Sequence, residues 1–236
     1  MKLCPNCQTK VESETAKFCD KCGTGVIVEV NCETDFVSAS DKFQNLSKVV
    51  TDTILEKKPA SLEEAKALTE QEFNDCALAV GEKLDLRRFE ILHKEEGESF
   101  TTYSHMNGKI TVLAVLSKED AEVSKPIAMH IAANAPLYIN LADVPAADRA
   151  REKAIAEAEV RDDVKLANKP DAVKAQIVER KVDKTLGAAC LDHNVYALDP
   201  NGALTIPEVC KQNDVKILAF ARYEVGDGIE KSAEEE

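Results

Sequence analysis

The sequence predicts an α+β fold with a duplicated strand-helix core on antiparallel sheets, a helical hairpin and a small N-terminal zinc ribbon. Three observations carry the core. The runs Val26-Ile27-Val28-Glu29-Val30 and Ile110-Thr111-Val112-Leu113 are short and β-branched, which suits a pleated surface and is too short for a helix. Each run leads into a stretch with apolar residues at helical spacing, and Asn107-Gly108 before the second is a hairpin signal. From Asp143 onward the chain is almost all helix-forming and breaks at Asn168-Lys169-Pro170, so a helical hairpin is expected over about 146–190.

Residues 1–24 stand apart. Cys4, Cys7, Cys19 and Cys22 are spaced C-x2-C-x11-C-x2-C, with Pro5-Asn6 inside the first pair and Gly23 after the second. This is knuckle spacing for one zinc ion, and four thiolates at about 2.3 Å close its coordination sphere, so the expected role is structural. An iron site with the same ligands and a redox pair are the alternatives. The segment is too short to build a core, so metal would supply most of its folding free energy.

A core N-subdomain is expected over 25–95. The strand 26–30 ends in the turn Asn31-Cys32-Glu33-Thr34, and Thr34 and Asp35 offer N-cap chemistry to a helix spanning 38–57. The plain reading of the next residues makes Phe36 a core ring and Asp35 a cap. Pro59 stops the helix, Ser61-x-x-Glu64 is a capping box for a helix over 62–68, and a further short helix over 72–80 ends at Gly81. Residues 86–92 form a strand.

A core C-subdomain is expected over 96–231. It opens with strands at 100–103 and 109–116 joined by a turn at His105-Met106-Asn107-Gly108, and a helix over 125–134 follows. A C-terminal module at about 215–231 precedes an acidic tail, 232–236. The second strand-helix copy lacks the Asp35-Phe36 pair, which favours a functional role for Phe36 over a shared core role.

Composition narrows the functions. A net charge of −13 argues against broad binding to nucleic acid or anionic membranes and leaves room for a protein partner with a basic face. No apolar run approaches the roughly 18 residues of a membrane span, and Met1-Lys2-Leu3-Cys4 starts no signal peptide, so cytoplasmic residence is the default. There the cysteines read as ligands or thiols, with Cys32, Cys76, Cys190 and Cys210 as buried thiols. His93, His105, His130 and His193 are scattered without metal spacing, and no Gly-rich phosphate loop appears, so an enzyme is not expected.

At Val28-Glu29-Val30-Asn31-Cys32-Glu33-Thr34-Asp35-Phe36-Val37 the sequence resembles the bacterial elongation factor Ts family. The resemblance continues through 81–88, the 103–112 hairpin, 129–136, Asp143-Val144-Pro145 and 222–230, about residues 25–231 in all. It implies guanine-nucleotide exchange on elongation factor Tu. It makes Thr34, Asp35, Phe36 and Val37 the contact that disturbs the partner's magnesium and phosphate site, with Phe36 as wedge, and His105 a second contact. It also makes the 146–190 hairpin the family's coiled coil. Members of the family usually begin with a small three-helix module resembling ubiquitin-associated domains; here a zinc ribbon stands in its place and the core's first strand looks clipped. A zinc-ribbon adaptor that binds elongation factor Tu without efficient exchange is the alternative.

Overall fold

The computed structural model describes residues 22–166 and 168–229, preceded by the short strands β1 (Lys2–Leu3), β2 (Lys10–Val11) and β3 (Ala16–Cys19). Cys4, Cys7 and the acidic tail lie outside the described residues. The chain divides into two compact units, residues 1–132 with 215–236, and 133–214.

The first unit holds two three-stranded antiparallel sheets. β4 (Thr24–Asn31) is the middle strand of one, between β3 and β5 (Asp85–His93). β7 (Ile110–Leu116) is the middle strand of the other, between β6 (Ser99–His105) and β8 (Ile217–Glu224). So the two β-branched runs occupy equivalent positions. Register explains their near-continuous apolar character, because β4 is covered on both faces. Val26 and Val28 pack with Leu46, Val50 and Ile54 of α2 (Asp41–Lys57), while Ile27 packs with Phe100, Leu113 and Val115 of the second sheet. Gly25 makes that close approach possible. A Cβ there would lie 2.8 Å from Phe100 Cε1 and 3.1 Å from Leu113 Cδ2. Gly25→Ala should therefore destabilise the unit by about 1–3 kcal/mol through overpacking, seen as a lower urea midpoint at unchanged slope.

Between β4 and β5 run α1 (Asp35–Ser38), α2 and α3 (Leu62–Val80). The expected 38–57 helix is broken at Ala39-Ser40, because the Ser40 hydroxyl accepts from the Phe43 amide at 3.3 Å and starts α2 afresh. The expected helices 62–68 and 72–80 are one. No Pro or Gly interrupts Thr69-Glu70-Gln71, and the buried Thr69 hydroxyl is satisfied at 2.8 Å by the Ala65 carbonyl. The expected boundary near residue 95 falls within the first unit, since Ile27 and Leu113 share one apolar seam. In the second sheet β6 and β7 pair from Ser99↔Leu116 to His105↔Ile110. His105 is thus the last residue of a strand, and the left-handed turn itself is Met106-Asn107-Gly108. α4 (Ser124–Asn134) follows β7, and its His130 is fully buried. The Arg222 guanidinium ties β8 to α4 through the Ala132 carbonyl at 3.1 Å.

The second unit is built on α5 (Ala146–Asp162) and α6 (Asp171–Ala188). Ala156 and Val160 pack against Val178, Val182 and Leu186, so a helix poor in large apolar groups still buries one stripe. Lys153 and Arg149 reach Glu179 at 2.6 and 3.3 Å, and Lys181 reaches Glu159 at 2.6 Å. These exposed pairs contribute little to stability. α7 (Ile206–Gln212) opens on a capping box between Thr205 and Glu208. Among the described residues no helix is long and apolar enough to cross a membrane.

Candidate functional site

The chain leaves β4 at Asn31 and turns through Cys32-Glu33 before Thr34, in extended conformation, caps α1. The Thr34 hydroxyl oxygen accepts from the Val37 amide at 3.3 Å. The same hydroxyl donates to Glu82 Oε1 at 2.5 Å, while Glu82 Oε2 accepts the amides of Glu33 and Thr34, both at 3.0 Å. At the other end of this single helical turn, Gln44 Nε2 donates to the Ser38 carbonyl at 2.7 Å. α1 is thus braced from α3's exit and from α2. The three bonds, that from the Thr34 hydroxyl first, hold the Glu82 carboxyl below the usual glutamate range, so the brace is intact at neutral pH. Glu82→Ala should leave the fold standing but speed amide exchange at Glu33 and Thr34 at least tenfold, by hydrogen exchange read by NMR.

The consequence is an aromatic ring held out into solvent. Phe36 is 90% exposed, whereas Phe43 two turns later is buried in the core. The plain reading of Phe36 as a core ring is therefore not what the fold does. Val37 is partly buried, and Thr34 and Asp35 are exposed. Thr34 alone is the cap; Asp35 is the first residue of α1, and its carboxylate takes the Lys109 ammonium, 3.0 Å from Oδ1 and 3.1 Å from Oδ2. Lys109 leads from the β6–β7 turn, so the two stretches singled out from sequence meet. Between them lies a cleft of about 130 Å³ lined by Val28, Asn31, Asp35, Gln44, Lys109 and Tyr223 among others.

His105 stands exposed at the end of β6, its Nδ1 3.0 Å from the Tyr103 hydroxyl and the two rings stacked at 5.9 Å. Met106 beside it is 60% exposed. Under the cleft sits a charged cluster. Glu29 is almost fully buried and accepts from Arg87 at 2.8 Å and Arg88 at 2.5 Å, and Arg88 lies 4.2 Å over the Tyr223 ring. Arg87 also donates to the Asp227 carbonyl, and Arg88 to that of Glu224 at 3.3 Å, so the cluster fastens the C-terminal strand across both sheets. Of the remaining cysteines, Cys76 and Cys190 are buried, while Cys32 and Cys210 are partly exposed. Burial, then Glu82 and Asp35, pushes the Cys32 thiol up, which favours its protonated form.

Sequence reasoning singles out Thr34 to Val37 and His105 and does not point to Glu82, Gln44 and Lys109, which the structure brings against the α1 turn. A Gly-Glu step after a helix and a lysine before a strand carry no local mark of their tertiary partners. Of the expected metal ligands, Cys19 is buried in β3 and Cys22 follows in the turn to β4, and the Cys22 amide donates to Cys19 Sγ at 3.4 Å.

A braced, solvent-exposed aromatic flanked by an acid and a hairpin end is the class of surface by which proteins recognise other proteins. The family profile described as Elongation factor TS matches residues 33–227. Elongation factor Ts of Oenococcus oeni is 40% identical over 214 residues, 88% of this chain and 71% of that protein. Those of Lactiplantibacillus plantarum and Limosilactobacillus reuteri are each 37% identical, over 88% and 90% of this chain and 71% and 73% of theirs. The chain belongs to the elongation factor Ts family.

Proposed function

We propose that this chain is a guanine-nucleotide exchange factor that binds GDP-loaded elongation factor Tu and promotes GDP release by disturbing its magnesium and phosphate site. The observation that carries the reading is the 90% exposure of Phe36 on a turn braced at both ends. A wedge must be presented ready-made, because ordering it on contact would cost binding free energy. Phe36 enters between partner elements, Asp35 engages groups near the metal, and Thr34 and Val37 set the turn. His105 makes a second contact from β6. No bond chemistry is needed. The factor must bind the nucleotide-free partner more tightly than the loaded one, and that coupling is reciprocal. Weakening GDP about 10⁴-fold takes about 5.5 kcal/mol of differential binding, within reach of a few buried contacts around one aromatic. The reading implies work in the cytoplasm, with the translation machinery.

The test is release of a fluorescent GDP analogue from elongation factor Tu with and without this chain. Acceleration at substoichiometric amounts supports exchange. Stable binding with unaltered release would instead make it an adaptor.

We also propose that Cys4, Cys7, Cys19 and Cys22 hold one structural zinc ion. The paired C-x2-C spacing supports this, as does the Cys22 amide aimed at the Cys19 sulfur, a contact that stabilises a thiolate. Zinc there would act by cross-linking chain, with no open position for substrate.

A further inference from the structure

We infer that this zinc site is built into the exchange core itself, as the turn of its first hairpin, and is not a separable module in front of it. The inference rests on the zinc reading above and concerns where the metal's mechanical load falls. β3 is the strand that carries Cys19, and it is an edge strand of the core sheet, in register with β4 from Ala16↔Ile27 to Cys19↔Thr24. Its side chains are core side chains. Lys17 is 2% exposed, ion-paired to Asp52 of α2, and donates to the Lys48 carbonyl at 3.3 Å. Phe18, on the opposite face, lies 5.3 Å from the Phe100 ring of the second sheet. Cys19, on the Lys17 face, is 1% exposed.

The turn after it is held equally firmly. Gly23 has φ +60°, and its carbonyl accepts the Lys94 amide at 3.0 Å, so the knuckle is bonded to the end of β5 as well. A Cβ at Gly23 would lie 2.6 Å from the Lys94 carbonyl oxygen, so the approach admits only glycine. The ribbon segment thus supplies the edge strand of the core that the sequence leaves short.

β1 and β2 pair as Lys2↔Val11 and Leu3↔Lys10, and Cys4 and Cys7 stand between these two strands in the sequence. Four thiolates on one ion would staple that pair of strands to the β3–β4 turn. A four-residue edge strand has little to hold it besides its neighbours, and a metal bound only by the folded form adds its binding free energy to that form. β4 then runs from the knuckle at Thr24 to Asn31, three residues before Thr34, so one strand joins the metal to the exposed ring.

The test uses the full chain with Cys4→Ser and Cys7→Ser together, since these change no residue of the core sheet and avoid the folding risk of Cys19→Ser. Zinc content by mass spectrometry, the melting midpoint, and amide exchange along β4 and β7 are measured against the parent protein under reducing conditions. Loss of zinc, a midpoint lower by at least about 5 °C, and β4 amides exchanging at least about tenfold faster with β7 unchanged support the inference. Restoring zinc to chelator-treated parent protein should restore both readings, and adding it to the variant should not. Zinc lost with midpoint and β4 protection unmoved overturns the inference while the zinc reading stands. A parent protein that carries no zinc overturns both.

Discussion

Replacing Phe36 with alanine is expected to slow stimulated GDP release from elongation factor Tu at least tenfold while leaving the melting curve where it was. Both halves follow from exposure. The ring is 90% exposed, so its removal opens no cavity and loses almost no buried area in the free protein. In the complex the same ring would be sealed against the partner. Burying a phenylalanine side chain contributes about 1.5–3 kcal/mol, and each 1.4 kcal/mol is a factor of ten. The loss should fall on the exchange step more than on initial binding, because a wedge acts on the state in which the nucleotide site is disturbed. Stopped-flow release with a fluorescent nucleotide, run beside circular-dichroism melting, reads both. Unchanged release in a folded variant would remove Phe36 from the mechanism and leave the hairpin end at His105 as the remaining candidate.

Glu29→Ala is expected to cost about 2–3 kcal/mol of folding stability, the larger structural effect. Its carboxylate is 2% exposed and serves two guanidinium groups at once. Removing one partner of a sealed ion pair costs about 3–5 kcal/mol. The figure here is lower because Arg87 and Arg88 remain 23% and 31% exposed and can turn toward water. The pH dependence has a definite sign. Burial pushes the Glu29 carboxyl up, but hydrogen bonds from Arg87 and Arg88 outweigh it and hold it below the usual glutamate range. A depressed folded value means the contribution is complete above the unfolded value and disappears as pH falls through the folded one. The urea midpoint of the parent protein should therefore fall on acidification below about pH 4.5, and the gap between it and Glu29→Gln should narrow over that window. A gap constant from pH 7 to pH 3 would mean that the pair contributes through packing alone.

Much of this was written locally in the chain. The strand at Thr24–Asn31 follows from a β-branched run, the hairpin from Asn107-Gly108, and α6's buried stripe from Val178, Val182 and Leu186 at helical spacing. Local signals also misled. Apolar spacing makes Ser40 helix interior, whereas its hydroxyl starts α2, and makes Thr69-Glu70-Gln71 a gap, whereas α3 runs through it. Both errors concern where an element ends, which single hydrogen bonds decide.

What the sequence determined by itself was the type of most segments from β4 onward, the spacing of Cys4, Cys7, Cys19 and Cys22, and the placing of an acid and a phenyl ring where a strand gives way to a helix. Only the tertiary structure decided that this ring faces water, that Glu82 braces Thr34 from 48 residues away, that Lys109 holds Asp35 from 74 residues away, and that Cys19 belongs to the core sheet. The reason is one of range. Periodicity and capping act over a turn or two of chain, whereas exposure depends on which distant segment covers a surface, and no residue of α1 is buried.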